Sequence, residues 1–244
     1  MMEQSYTDKK NVLPENARER HIRTGRYLKD IIFAANDGII TTFAVVAATV
    51  GGALSPAVIL IVGFANLFAD GFSMATGNYL GTKSEQDFYR KEEAEEYREV
   101  KDIPEQERQE IKDILSHKGY QGQELEQMTG LICSNEKFWV EFMMLEELKL
   151  SNPGGESAAK NAFITFVSFV CAGIIPLLPY LFFGTTASFF SAAIFTGAAL
   201  FSVGALRAFF SRASWMFLGF EMLAIGGVAA GIAYGIGFAI RALV

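Results

Sequence analysis

Residues 56–101 read PAVILIVGFANLFADGFSMATGNYLGTKSEQDFYRKEEAEEYREVK. The first 25 of these, 56–80, are apolar or small and carry one formal charge, Asp70. At about 1.5 Å per residue such a run crosses a hydrocarbon core of roughly 30 Å as a helix. From Lys83 the composition turns charged without a proline, so the spacing predicts a helix over 83–101 that carries the span on into water. One stretch therefore predicts an all-α integral membrane protein with a water-facing helical part.

Four further runs have the same length and character: 31–53, 161–183, 187–209 and 215–240. Five spans account for the 51% hydrophobic content, and the 20% charged residues are segregated between them. Residues 83–149 hold 18 Asp/Glu and 10 Lys/Arg, a net of −8, which leaves +2 for the rest of a chain whose total is −6. The spans are rich in Gly and Ala, and pairs such as Gly227 and Gly231 suit close helix contact in lipid. The expected division is an amphipathic segment over 1–30, spans one and two over 31–81, an acidic helical domain over 82–152, and spans three to five over 153–244. No nucleic-acid partner is expected of so acidic a chain.

Orientation follows from the basic residues. Lys9, Lys10, Arg18, Arg20, Arg23, Arg26 and Lys29 precede the first span, and Arg207 and Arg212 lie between the fourth and fifth. The loops at 52–55 and 184–186 carry no charge. The N-terminus and the acidic domain are thus expected in the cytoplasm and the C-terminus on the other side. The polar start shows no signal-peptide core. Cys133 and Cys171 fall in different environments and are not expected to pair, and His21 and His117 are isolated.

Within the acidic domain, Asp102 with Pro104 reads as a cap and first-turn proline opening a second helix, which Gly119 and Gly122 end. A third helix is expected over 123–132 and a fourth over 135–150, with Asn135 as its N-cap. Glu92, Glu96 and Glu99 share a face of the first; Glu107 and Glu110 are three apart on the second; Met143, beside Met144, is four before Glu147. Such faces either stay solvated or converge on a divalent cation. Like charges at these spacings repel, which favours cations, and thioether ligands suit a borderline metal such as ferrous iron over calcium or magnesium. Methionine is equally a filler of cores.

Inside the spans, Asp37 lies about six residues, or roughly 9 Å, from the cytoplasmic end of the first. An ionisable group there marks a functional position. Met74 lies at similar depth on the second, and stepping back by fours gives Asp70 and Asn66, with Ser73, Gly77 and Asn78 near the same stripe. Interhelical glue and a permeation path are both open readings of this track. Glu221 in the fifth span is either a further station or an interfacial acid.

Asp37-Gly38-Ile39-Ile40, then Ser73-Met74-Ala75-Thr76-Gly77-Asn78-Tyr79-Leu80 with Lys83-Ser84-Glu85, and finally Trp139-Val140-Glu141-Phe142-Met143-Met144 occur in that order. In these residues the chain resembles the vacuolar iron transporter family over nearly its whole length. The resemblance implies a five-span protomer, a homodimer with the pathway between its copies, and exchange of cytosolic ferrous iron for protons. It implies metal binding by Glu96, Glu99, Glu107, Glu110, Met143, Met144 and Glu147, and passage by Asp37 and Met74. Asn66 stands where relatives can have glutamate, and Asp70 one turn on, where a small residue is usual.

The expectation is a transporter, not an enzyme, that exports Fe2+, with Mn2+, Co2+ and Zn2+ as other candidate ions, and needs no cofactor. Rivals are a manganese exporter and a membrane-anchored iron-oxidising or iron-buffering protein. Di-iron chemistry usually draws on Glu-x-x-His pairs, and the residue three before His117 is Ile114. The plasma membrane is the expected location, or a vacuole in a eukaryote.

Overall fold

Apolar runs of this length satisfy their own backbone in lipid as α-helices. The computed structural model describes residues 15–153, 157–183 and 189–243, and no strand occurs among them. The elements are α1 (Glu15–Gly51), α2 (Pro56–Asp102), α3 (Pro104–His117), α4 (Gly122–Cys133), α5 (Glu136–Glu146), α6 (Ala158–Gly173), α7 (Leu178–Phe183), α8 (Phe189–Leu206) and α9 (Trp215–Leu243). Among the described residues, five segments are long and apolar enough to cross a membrane: Tyr27–Gly51, Pro56–Asp102 through its first half, Ala158–Phe183, Phe189–Phe209 and Trp215–Leu243. Lys9, Lys10 and the loop expected at 184–186 lie outside the described residues, as do the side chains of Arg18, Arg20, His21, Arg23 and Arg26. The chain divides into two compact units, Met1–Asn78 with Ala159–Val244, and Tyr79–Ala158.

The first unit packs α1 against α8 and α9. Its core holds Ala34, Val46, Leu67, Phe169 and Leu177. Close approach depends on glycine at two places. A Cβ at Gly38 would strike the Phe169 carbonyl on α6, and one at Gly237 on α9 would strike the Ala48 carbonyl on α1. Gly227 and Gly231, whose spacing suggested such a contact, face open space within one chain. The third span is not one helix as expected. It changes to a 3₁₀ turn at Ile175–Leu177 before α7, because Pro176 has no N–H to give to the preceding turn.

The second unit gathers the charged end of α2 with α3, α4 and α5. Ile111, Leu115, Val140, Met143 and Met144 are almost solvent-free in its core, each worth about 1.5–3 kcal/mol of burial. Pro104 begins α3 as expected, but the N-cap is Ile103 and Asp102 is the last residue of α2. α3 stops at His117, followed by Gly119 at φ +101°. Asn135 caps α5, its Oδ1 accepting the Phe138 N–H at 3.2 Å. α5 ends at Glu146, four residues short of expectation, because Lys149 turns to φ +56° and the Leu150 N–H reaches back to the Met144 carbonyl. Cys133 and Cys171 are free.

Candidate metal centre

Helical spacing places Glu96 and Glu99 on α2, and Glu107 and Glu110 on α3, as neighbours three apart, while Glu147 is the C-cap of α5. Packing of the second unit brings these five together as two triads, Glu96–Glu99–Glu107 and Glu107–Glu110–Glu147. In each, one oxygen per residue lies within 4.8 Å of the others. Bonds of about 2.1 Å from one cation set its ligand oxygens roughly 3–4 Å apart, so a small contraction closes either triad. Glu107 belongs to both. Glu92, on the same face by spacing, pairs with Lys91 at 3.0 Å and joins neither. His117 also belongs to neither; its Nδ1 sits 2.8 Å from the Asp113 carbonyl oxygen.

The burial of these groups is costly as it stands. Glu96 is 4% exposed and Glu107 2%, and each has a buried Oε2 with no hydrogen-bond partner. An unsatisfied buried polar group costs roughly 1–3 kcal/mol, more if charged. Burial first, and then the carboxylates of Glu147, Glu107, Glu99 and Glu110, push the Glu96 carboxyl up to about 8. Burial followed by Glu110, Glu99 and Glu147 pushes Glu107 up to about 7. Glu147 is raised by burial and by Glu110 and Glu99. Protons hold such a cluster together at neutral pH, and a divalent cation placed among the oxygens removes the same repulsion. Met143 and Met144 lie in the buried core of the unit.

In the first unit Asp37 and Asp70 are half-buried and within coulombic range of each other. Asp70 accepts a hydrogen bond of 2.8 Å from Asn66. Met74 lines a cavity of about 450 Å³ with Lys29, Asp30, Phe33, Asn78 and Thr165. Asn78 donates to Thr165 Oγ1 at 2.9 Å. Asp37 is not among the lining residues of that cavity. Asp30 and Thr165 were missed from sequence; for Asp30 a signal existed, since it stands seven residues before Asp37 on the same helical face. Glu221 forms an ion pair of 3.0 Å with Arg207.

A sequence model of the VIT family matches residues 28–238, which takes in the second unit and nearly all of the five apolar segments. The chain belongs to the VIT family. Among its relatives, vacuolar iron transporter 2 of Oryza sativa subsp. japonica is 32% identical over 237 residues, 97% of this chain and 96% of that protein. Vacuolar iron transporter 1 of Arabidopsis thaliana is 32% identical over 231 residues, 94% and 92% of the two chains. The vacuolar iron transporter of Plasmodium falciparum is 35% identical over 204 residues, 80% and 75%. The VIT-family match covers both carboxylate triads and the Asp37, Asp70 and Met74 positions. By their names these relatives are transporters, and the chain is accordingly a transporter rather than an enzyme.

Proposed function

We propose that this VIT-family chain exports divalent metal from the cytosol, with ferrous iron as the principal cargo and protons moving the opposite way. The observation that carries the reading is the pair of glutamate triads sharing Glu107, with two buried oxygens left unpartnered. The relatives' names, all vacuolar iron transporters, support iron as cargo. In this reading the second unit lies in the cytoplasm with the N-terminus and gathers ions; Asp37, Asp70 and Met74 pass them through the bilayer. Met143 and Met144 add soft ligands that favour Fe2+ over the harder cations of the cytosol.

Coupling to protons follows from the carboxylates. A carboxylate in a low-dielectric setting is neutralised by a proton or by a metal, so loading one releases the other. Homodimerisation completes the path, because Asp37 and Met74 of one copy are too few for an ion that takes about four to six ligands. The plasma membrane is the proposed location.

Reconstitution tests this directly. Proteoliposomes holding a metal-sensitive and a pH-sensitive dye, challenged with Fe2+, Mn2+, Co2+ and Zn2+, should show fastest flux for Fe2+ with an opposing proton flux. Mn2+ moving faster than Fe2+ would favour the manganese exporter, and metal flux without a pH change would remove the antiport.

A further inference from the structure

Lys29, Arg207 and Ser211 meet at one edge of the membrane unit, where the first span starts, the fourth ends and the fifth is about to begin. They rim a cavity of about 650 Å³, a volume within the range of small-molecule sites. Ile32, Leu218 and Met222 form its apolar wall. Asn36, seven residues along α1 from Lys29 and therefore roughly 10 Å deeper, also lines it.

The chemistry of this lining is one-sided. It contains two cations and no carboxylate. Lys29 is exposed and has no ion pair among the described residues. Arg207 gives Nη1 to Glu221 at 3.0 Å, and a guanidinium has five donors in all. Asn36 Oδ1 is buried without a hydrogen-bond partner. The cavity thus offers cations at the membrane edge, an acceptor further in and an apolar wall between.

We infer that this cavity binds the phosphate of an anionic phospholipid such as phosphatidylglycerol. The phosphate sits between Lys29 and Arg207, and the first methylenes of the chains run inward along Ile32, Leu218 and Met222 toward Asn36. A free phosphate would leave that wall in water, whereas a lipid covers it. Each cation near such a headgroup favours binding by about fivefold.

Native mass spectrometry of the full-length protein in detergent tests the site, with phosphatidylglycerol and phosphatidylcholine of identical chains and with inorganic phosphate as competitor. Phosphatidylglycerol should be retained over phosphatidylcholine by about fivefold or more. Lys29→Gln should reduce that preference by about fivefold. Glu221→Gln, which releases Arg207, should increase it, a gain that misfolding cannot produce. Arg212→Gln removes an exposed cation outside the lining and should leave it unchanged. Equal retention of the two lipids, an unchanged preference in Lys29→Gln, or displacement by inorganic phosphate as readily as by lipid would overturn the assignment. So would closure of the cavity by a second copy, read as a cross-link between Arg212→Cys chains with no lipid retained.

Discussion

Asn66 donates a hydrogen bond of 2.8 Å to the carboxylate of Asp70, one turn further along α2. A neutral amide orients the carboxylate without supplying a countercharge. The pair also explains how this chain tolerates an acid within an apolar helix where its neighbour at 66 is uncharged. Asp70→Asn keeps the shape and removes the charge. Metal flux should persist at a reduced rate while the opposing proton flux is lost, both read in the same dye-loaded proteoliposomes; unchanged fluxes would make Asp70 a packing residue.

The glutamate cluster makes the metal-free protein pH-sensitive in a defined direction. Glu96 and Glu107, at about 8 and about 7, keep protons in the folded state that an unfolded chain loses near 4.5. The native state then binds more protons, so stability is unaffected below about pH 4.5 and falls as pH rises toward about 8. Glu146, held low by Lys118, acts the other way but in the more acid range. Of the two tryptophans, Trp139 belongs to the second unit. In a Trp215→Phe background its thermal midpoint in chelator should drop by a few degrees between about pH 5 and about pH 8, and added Fe2+ or Mn2+ should abolish the slope. A midpoint that climbs across that window would contradict the burial of these groups.

Because both triads share Glu107, single substitutions have unequal consequences. Glu107→Gln should weaken both sites in calorimetric titration of the full-length protein, whereas Glu96→Gln and Glu147→Gln should each weaken one. Removing a buried carboxyl without a partner also relieves repulsion. Glu107→Gln should therefore raise the metal-free midpoint above neutral pH even as it lowers affinity. Three equal losses would mean one site rather than two.

Much of the architecture could be read from local pattern alone. The five apolar runs are each continuous in sequence, and the change of composition after Leu80, Pro104 at a helix start and Asn135 as a cap each depend on residues within a turn or two of one another. The break at Pro176 was equally local, yet the apolar run around it hid the signal. The early end of α5 depends on an αL conformation at Lys149, which side-chain type does not announce. Carboxylates three apart were visible on single helices, but the double membership of Glu107 arises from packing α2, α3 and α5 together. The cavity joining Met74 to Asp30 and Thr165 likewise needs three helices to exist.

A single chain gives the proposed pathway one Asp37 and one Met74, and a twofold axis along the first span would double both. Single cysteines placed along α1 should cross-link in membranes at positions one helical turn apart and not between. A protein that stays monomeric in lipid nanodiscs and still moves metal would rule out the shared pathway.

Asp37 is the residue on which the pathway depends most. Its side chain is half-buried roughly 9 Å inside the expected boundary of the first span, with Asp70 in coulombic range. Two acids so placed cannot both stay charged and dry; a cation or a proton must relieve them. The backbone around Asp37 does not need its carboxylate, since the Thr41 hydroxyl donates to the Asp37 main-chain carbonyl at 2.9 Å and Gly38 makes the contact with α6. Asp37→Asn should therefore insert, fold and bind metal at the glutamate triads as the wild type does, while losing most of its metal flux. If Asp37 were only a hydrogen-bonding link between helices, asparagine would serve as well and transport would survive. The proteoliposome rate of Asp37→Asn, set beside its unchanged titration at the triads, separates the two.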